Sequence, residues 1–316
     1  MSDNNSVCVK KKKFEWQSWF VYFALFGLIL VFAVLNEVFL TPGNFENIGR
    51  QTAMVSIIAL GATFVITTGN IDLSAGALVG LVGVVAAMCM RAGLSIPLSS
   101  IIGILVGVSF GLVNGILVAK ARIPSFLVTL GTMGIARGLA LTITNTKAVI
   151  IMDKNFTQFW GAGSVGGFPT SILWTIILSA IAIWLYHYTV FGNYVKAVGG
   201  NITAAIYSGV KADKVTIKVF VLAGVMAAIA GLLMAARLKS GRPEVGAGME
   251  LDAVAAVVLG GTVMSGGRGK MVNTLIGSLI MGVIVNGLII MGVQTNIQAI
   301  IKGVIIIAAV SMSEKK

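Results

Sequence analysis

The chain has 316 residues, of which 57% are hydrophobic and only 11% charged, and its mean hydropathy is +0.97. A soluble domain carries about 25% charged residues, so this composition excludes a globule covered by water and points to a bilayer, where a spanning helix takes about 20 apolar residues. The net charge of +12 is not the footprint of a nucleic-acid binder, because the basic residues gather at the ends of apolar segments and form no stripe.

The chain opens on a basic tail, residues 1–15, containing Lys10, Lys11, Lys12 and Lys13. An apolar run follows at 16–36 without a small-residue cleavage site, so it reads as an uncleaved first span. Further apolar segments lie at about 49–68, 74–90, 98–119, 125–143, 171–189, 216–236, 253–265, 271–291 and 297–312. Lipid accepts helices or closed barrels, and these runs are too long and uniform for barrel strands. The expected fold is all-α, a polytopic membrane protein of about ten transmembrane helices, with 16–316 forming one transmembrane domain. The eighth segment spans only 13 residues. At 1.5 Å per residue it reaches ~20 Å of a ~30 Å core, so it is expected to be a half-helix.

Orientation follows the basic residues. With the tail in the cytoplasm, Lys120, Arg122, Lys196, Lys211, Lys214, Lys218, Arg268, Lys270, Lys315 and Lys316 fall inside, and Glu37, Glu46, Asp153, Glu244, Glu250 and Asp252 fall outside. Both termini are then cytoplasmic.

Polar residues among the spans carry the candidate chemistry. In TTGNIDLSAGALVG (67–80), Asn70, Asp72 and Ser74 stand where the third helix needs acceptors for its free N–H groups, and Gly69 and Gly76 suit a sharp turn. The functional alternative is that Asp72 holds a coupling proton or solute. Asp252 in ELDAVAA invites the same capping argument. Gly103, Gly107, Gly111 and Gly115 recur every four residues and mark a close helix seam. Arg137 and Lys302 either snorkel to an interface or pair within the bundle. Asn114, Asn286, Gln294, Asn296 and Gln298 either line a path for a polyhydroxy solute or bond across helices. His187, at a helix end, reads as interfacial.

Two echoes suggest an internal repeat: VSFGLVNGILVAK (108–120) with IMGVIVNGLIIMG (280–292), and NIDLSAGALVG with MELDAVAAVVLG. They pair spans of opposite direction, the pattern of an inverted repeat with broken helices. The loop at about 191–215 contains ITAAIYS, a short helix that Asn201 can cap and Gly209 can end. It is either a dock for another protein or an interfacial helix on lipid. GGRGKM (266–271) lacks the spacing of a Walker A loop, and neither HExxH nor GxSxG occurs. Cys8 and Cys89 make no disulfide or metal pattern. These residues offer no enzyme chemistry and no cofactor site.

Four stretches in order resemble the permease subunits of monosaccharide-type ABC importers: ITTGNIDLSAGALVG (66–80), IPSFLVTLGTMGIARGLALTITN (123–145), FGNYVKAVGGNITAAIYSGVKADKVTIKVF (191–220) and ELDAVAAVVLGGTVMSGGRGKMVNTLIG (250–277). The resemblance implies a bacterial inner-membrane protein with a pathway between two permease chains, homodimeric or heterodimeric. It implies a separate cytoplasmic ATPase holding the ATP and an external sugar-binding protein. It also makes 197–210 the coupling loop, with Gly199, Gly200, Asn201, Ala204, Ala205, Ser208 and Gly209 on its pattern. Asn70 stands where relatives often have Gly, and Asn tolerates left-handed geometry. Outside, Arg237, Lys239 and Arg242 form a basic cluster that could meet acidic residues of the binding protein. The rival is a stand-alone, ion-coupled secondary transporter of a small polar solute. Ribose, another monosaccharide or a small polyol all suit the residues.

Overall fold

The computed structural model describes residues 16–314. The basic tail with Cys8, and the final Lys315 and Lys316, lie outside the described residues. The helices are α1 (Trp16–Leu35), α2 (Pro42–Thr67), α3 (Ala75–Arg91), α4 (Ile96–Ala119), α5 (Ser125–Thr144), α6 (Lys154–Thr157), α7 (Thr170–His187), α8 (Val190–Gly200), α9 (Ile202–Tyr207), α10 (Ala212–Leu238), α11 (Met249–Leu259), α12 (Met271–Ile290) and α13 (Thr295–Glu314). Each of the ten apolar segments supplies one helix. α2, α4, α5, α7, α10 and α12 are long and apolar enough to cross a bilayer, and α1, α3 and α13 carry shorter apolar stretches. Prolines in the first turns of α2 and α4 sit where a missing N–H costs nothing.

The packing has an internal two-fold logic. α4 lies on α10, and α12 lies on α2. α3 packs on α5 as α11 packs on α13, and α2 meets α10 between the halves. Thus α2 to α5 correspond to α10 to α13, each half placing its third helix on the other half's first. The echo pairing Asn114 on α4 with Asn286 on α12 follows this correspondence.

Bare backbone makes the central seam possible. A Cβ on Gly107 would overlap the Gly224 carbonyl, and one on Gly111 would stand 2.8 Å from Val221 Cα. Gly115 backs onto Ile217, and Gly103 onto Val82 and Leu232. The four-residue glycine spacing therefore serves α4–α10 contact. In α5, by contrast, Gly131, Gly134 and Gly138 have open space where a Cβ would go.

At one end, β1 (Val149–Ile150) pairs antiparallel with β4 (Ser240–Gly241), tying the loop after α5 to the end of α10. β2 (Ser164–Val165) and β3 (Phe168–Pro169) form a small hairpin. At the other end, Arg122 and Asp213 pair at 3.0 Å, joining the loop after α4 to the start of α10.

The half-helix expectation stands with corrected bounds. α11 is 11 residues, about 16 Å long at 1.5 Å per residue. It starts earlier than expected, at Met249, and stops at Leu259 because Gly260 and left-handed Gly261 (φ +81°) end it. Glu250 and Asp252 are therefore buried within the protein rather than exposed outside. Residues 241–248 run down beside α3: Gly241 faces Gly83, Pro243 and Val245 face Gly80, and Gly246 faces Gly76. Irregular backbone at this depth is tolerated because protein surrounds it. Gly76 is helical and permits this approach; it makes no turn. The turn after α2 belongs to Gly69 at φ +78°.

Candidate functional site

The break between α2 and α3 is built around Asp72. Its Oδ1 accepts from the Ser74 N–H at 2.8 Å and from the Ser74 hydroxyl at 2.6 Å. Asn114 Nδ2 on α4 donates to Ser74 Oγ at 3.0 Å, while its Oδ1 has no partner. Ser125 and Thr129 of α5 satisfy Ile71, whose N–H donates to Ser125 Oγ and whose carbonyl accepts from Thr129 Oγ1. Asp72 closes a tight turn onto Ser74, the residue just before α3, and bonds no N–H within α3 itself. The Ser74 side chain makes no cap bond to α3 either, and Asn70 bonds back to Thr68. Nor is Asn70 left-handed; Gly69 takes that conformation, leaving Asn70 free of it.

The corresponding break before α11 works differently. The residue preceding α11 is Gly248, which makes no side-chain cap. Asp252, one turn in, does not cap α11: its Oδ2 accepts from Lys302 Nζ of α13 at 2.7 Å. Of the two fates open to Lys302, pairing within the bundle is the one realised. Glu250 Oε1 accepts from the Gly248 N–H at 3.2 Å, and its buried Oε2 has no partner. Arg137 on α5, part-buried, lies within Coulombic reach of Glu250. Two carboxylates and two cations from α5, α11 and α13 thus gather at one half-helix start.

Asn286 sits apart from both breaks. Its Nδ2 donates to Asn44 Oδ1 at 2.9 Å, and Asn44 in turn donates to the Phe39 carbonyl. Ser56–Ser278 and Thr63–Thr274 continue this polar ladder between α2 and α12. Of the six candidate pathway residues other than Asn70, Asp72, Ser74 and Asn114 form one chain, Arg137 and Asp252 share the second cluster, and Asn286 serves helix packing.

At the end marked by the Arg122–Asp213 pair, α8 and α9 protrude between α7 and α10. Asn201 Oδ1 accepts from the Ala204 N–H at 2.9 Å, and Gly209 (φ +84°) closes the helix after Ser208. Both ends of α9 are as the sequence predicts. Its outward face carries Ile202, Ala204, Ile206 and Tyr207, the last 88% exposed. Ala205 points inward, packed with Val195, Val198 and Val219. Gly199 is pressed on the end of α2, where a Cβ would overlap the Thr67 carbonyl and lie 2.7 Å from the Gly267 nitrogen. Lys196 Nζ lies 4.6 Å from the centre of the Tyr186 ring, and Tyr186 hydroxyl and Thr67 Oγ1 are 3.2 Å apart. Desolvation holds the Lys196 ammonium below its usual pKa.

A broken-helix core with a capped, projecting helix at one end is a transporter's layout. Residues 44–310 match the family model described as a permease component of the branched-chain amino acid transport system. The chain belongs to this permease family. The ribose import permease of Bacillus subtilis (strain 168) is 41% identical over 93% of this chain and 92% of its own. That of Escherichia coli (strain K12) is 40% identical over the same shares. The D-allose transport system permease protein of Escherichia coli (strain K12) is 37% identical over 96% of this chain and 94% of its own. No solved structure matches the chain.

This permease is accordingly a multi-pass protein of the bacterial inner membrane and a transport subunit rather than an enzyme. At the end opposite α9, the expected basic cluster divides. Arg237 Nη1 turns toward the Arg50 carbonyl of α2 at 3.4 Å, whereas Lys239 and Arg242 are exposed, Arg242 donating to Ser240 Oγ. No local pattern marks Glu250 or Asn44 as a site residue, whereas GGRG signals the glycine pair Gly266 and Gly267.

Proposed function

We propose that this permease subunit carries a monosaccharide across the inner membrane as part of an ABC importer, with two permease chains forming the path. A separate cytoplasmic ATPase seats on α9, and an external binding protein delivers the sugar to the end bearing β1, β4, Lys239 and Arg242. Both termini face the cytoplasm in this arrangement. The observation that carries the reading is the identity of about 40% with ribose import permeases along more than nine-tenths of both chains. The geometry supports it. α9 is only six residues, too short to span, yet capped at both ends and rooted by Ala205 and Gly199. Such a helix presents Ile202, Ile206 and Tyr207 rigidly to a partner. The chain does no covalent chemistry. Nucleotide would shift it between two states by binding one of them better. Asp72, Asn114, Arg137, Glu250, Asp252 and Lys302 sit at the broken helices, where a path through such a fold places its polar groups.

The test is uptake of labelled ribose, allose and arabinose into proteoliposomes holding the permease and its ATPase, with the binding protein outside. ATP-dependent uptake of one sugar, lost when the ATPase is omitted, is the expected result. Uptake by the permease alone, driven by an ion gradient, would replace this reading with the secondary-transporter one. In cells, Tyr207→Cys is expected to react with a thiol reagent only from the cytoplasmic side.

A further inference from the structure

The loop 262–270 between α11 and α12 is folded on itself. The Val263 N–H donates to the Arg268 carbonyl at 3.1 Å, and the Gly266 N–H to the Val263 carbonyl at 3.0 Å. The Lys270 N–H donates to Thr262 Oγ1 at 3.4 Å. The loop continues both helices without slack: the Thr262 N–H reaches back to the Val257 carbonyl of α11, and the Thr274 N–H to the Lys270 carbonyl. Its tip then joins two other elements. The Gly267 N–H donates to the Thr67 carbonyl at the end of α2 at 2.8 Å. A Cβ on Gly267 would stand 2.8 Å from Gly200 Cα, and one on Gly266 would stand 2.8 Å from the Gly199 carbonyl. Three chain segments therefore touch backbone to backbone, with glycine wherever a side chain would part them. Gly269 completes the joint against Tyr186 hydroxyl and Thr67 Oγ1, at 2.5 and 2.6 Å from a Cβ there.

We infer that Gly199 and Gly267 form a permanent weld through which movement of α8 and α9 is passed to the half-helix α11, and thus to the Asp252–Lys302 pair at its far end. The inference rests on the importer reading and adds a route that reading does not specify. α9 reaches the broken helix through the 262–270 loop as well as through α10. α11 is short and flanked by glycine at both ends, yet the closed loop grips one end and the Asp252–Lys302 ion pair with α13 holds the other. A displacement at Gly199 has no compressible side chain to absorb it before it reaches α11. Gly199 and Gly267 are positioning residues, since neither faces a solute.

The experiment compares glycine-to-alanine variants of the reconstituted importer, measuring sugar uptake and ATP hydrolysis together. Gly199→Ala and Gly267→Ala attack the weld from its two sides. Gly131→Ala on open α5 controls for a glycine-to-alanine change as such, since its Cβ would have nothing within 4 Å. Gly261→Ala, at the residue just before this loop, controls for backbone strain, having φ +81° and nothing within 4 Å. The expected result is hydrolysis retained but uptake per ATP lowered at least about fivefold in the two weld variants, the scale of a lost coupling energy. Both controls keep the wild-type ratio. A merely structural role would lower uptake and hydrolysis together, in step with the amount of complex recovered, and that outcome would overturn the inference. So would an unchanged ratio in both weld variants. Wild-type hydrogen exchange gives a reading independent of the variants' folding: the Gly267 amide should be equally protected with and without nucleotide, and exposure in either state would refute a permanent weld. If the wild type itself shows no ATP-driven uptake of ribose, allose or arabinose, the importer reading fails, whereas the exchange result still judges the weld.

Discussion

Replacing Lys302 by Met tests what the charges at the second break do. Asp252 and Lys302 meet at 2.7 Å, with side chains only 11% and 26% exposed. At an effective dielectric of about 20, unit charges near contact attract by about 4 kcal/mol or somewhat more. Removing one member of a buried pair costs about 3–5 kcal/mol, chiefly because the other charge is left without compensation. Lys302 keeps a quarter of its side chain accessible, so the lower end applies, about 3 kcal/mol. With the entropy of unfolding per residue typical of folded proteins, that loss lowers the melting temperature by roughly 4–5 °C for a chain of this length. The assay is thermal unfolding of the purified permease in one detergent, for Lys302→Met, Asp252→Asn and the double variant. The double variant leaves no unpaired charge and should recover at least about half of the loss. A single variant melting within about 1 °C of wild type, or a double variant as damaged as the two singles added together, would refute the pairing argument.

Asp72 is expected to act as an acceptor for Ser74 and not as a proton carrier. Asp72→Asn, which keeps an oxygen, should retain uptake within about twofold, whereas Asp72→Ala leaves the Ser74 groups unmet and should cost about 1–3 kcal/mol in detergent melts. Loss of uptake in a well-folded Asp72→Asn permease would return the carboxylate to the pathway. Gly107→Val should separate α4 from α10 and destabilise by about 1–3 kcal/mol or more, while Gly138→Ala on open α5 should fall within about 0.5 kcal/mol of wild type. Equal melting of the two would contradict the seam. Asn201→Ala should loosen α9 by about 1 kcal/mol, seen as faster exchange of the Ala204 amide, and Asn201→Asp should restore protection.

Features set by neighbouring residues were legible in the sequence. The ten apolar helices follow from apolar run length, and Asn201 and Gly209 delimit α9 because cap chemistry is local. The turn of Asp72 onto Ser74 is legible for the same reason, since its partner is two residues away. Asp252 looked identical in sequence yet behaves otherwise, since Lys302 lies 50 residues on and only folding brings it near. Gly76 suits a turn by sequence because nothing local announces that residues 241–248 descend beside it. Apolar counting marks where a helix can form but not where unwound backbone is sheltered, so the burial of Glu250 is not legible from it. Arg237 left its basic neighbours because helix α10 turns it toward Arg50, a fact of helical phase against α2.

The exchanged packing of the two halves also constrains how the chain is made. The glycine face of α4 is complete once Ala119 has been added, but its mate α10 begins at Ala212. At about 5–20 residues per second, that groove waits on the order of several seconds with bare backbone turned toward lipid or a membrane chaperone. A nascent first half is consequently an unfinished surface, and ribosome stalling between α5 and α10 should expose it to quality-control proteases more readily than stalling after α10.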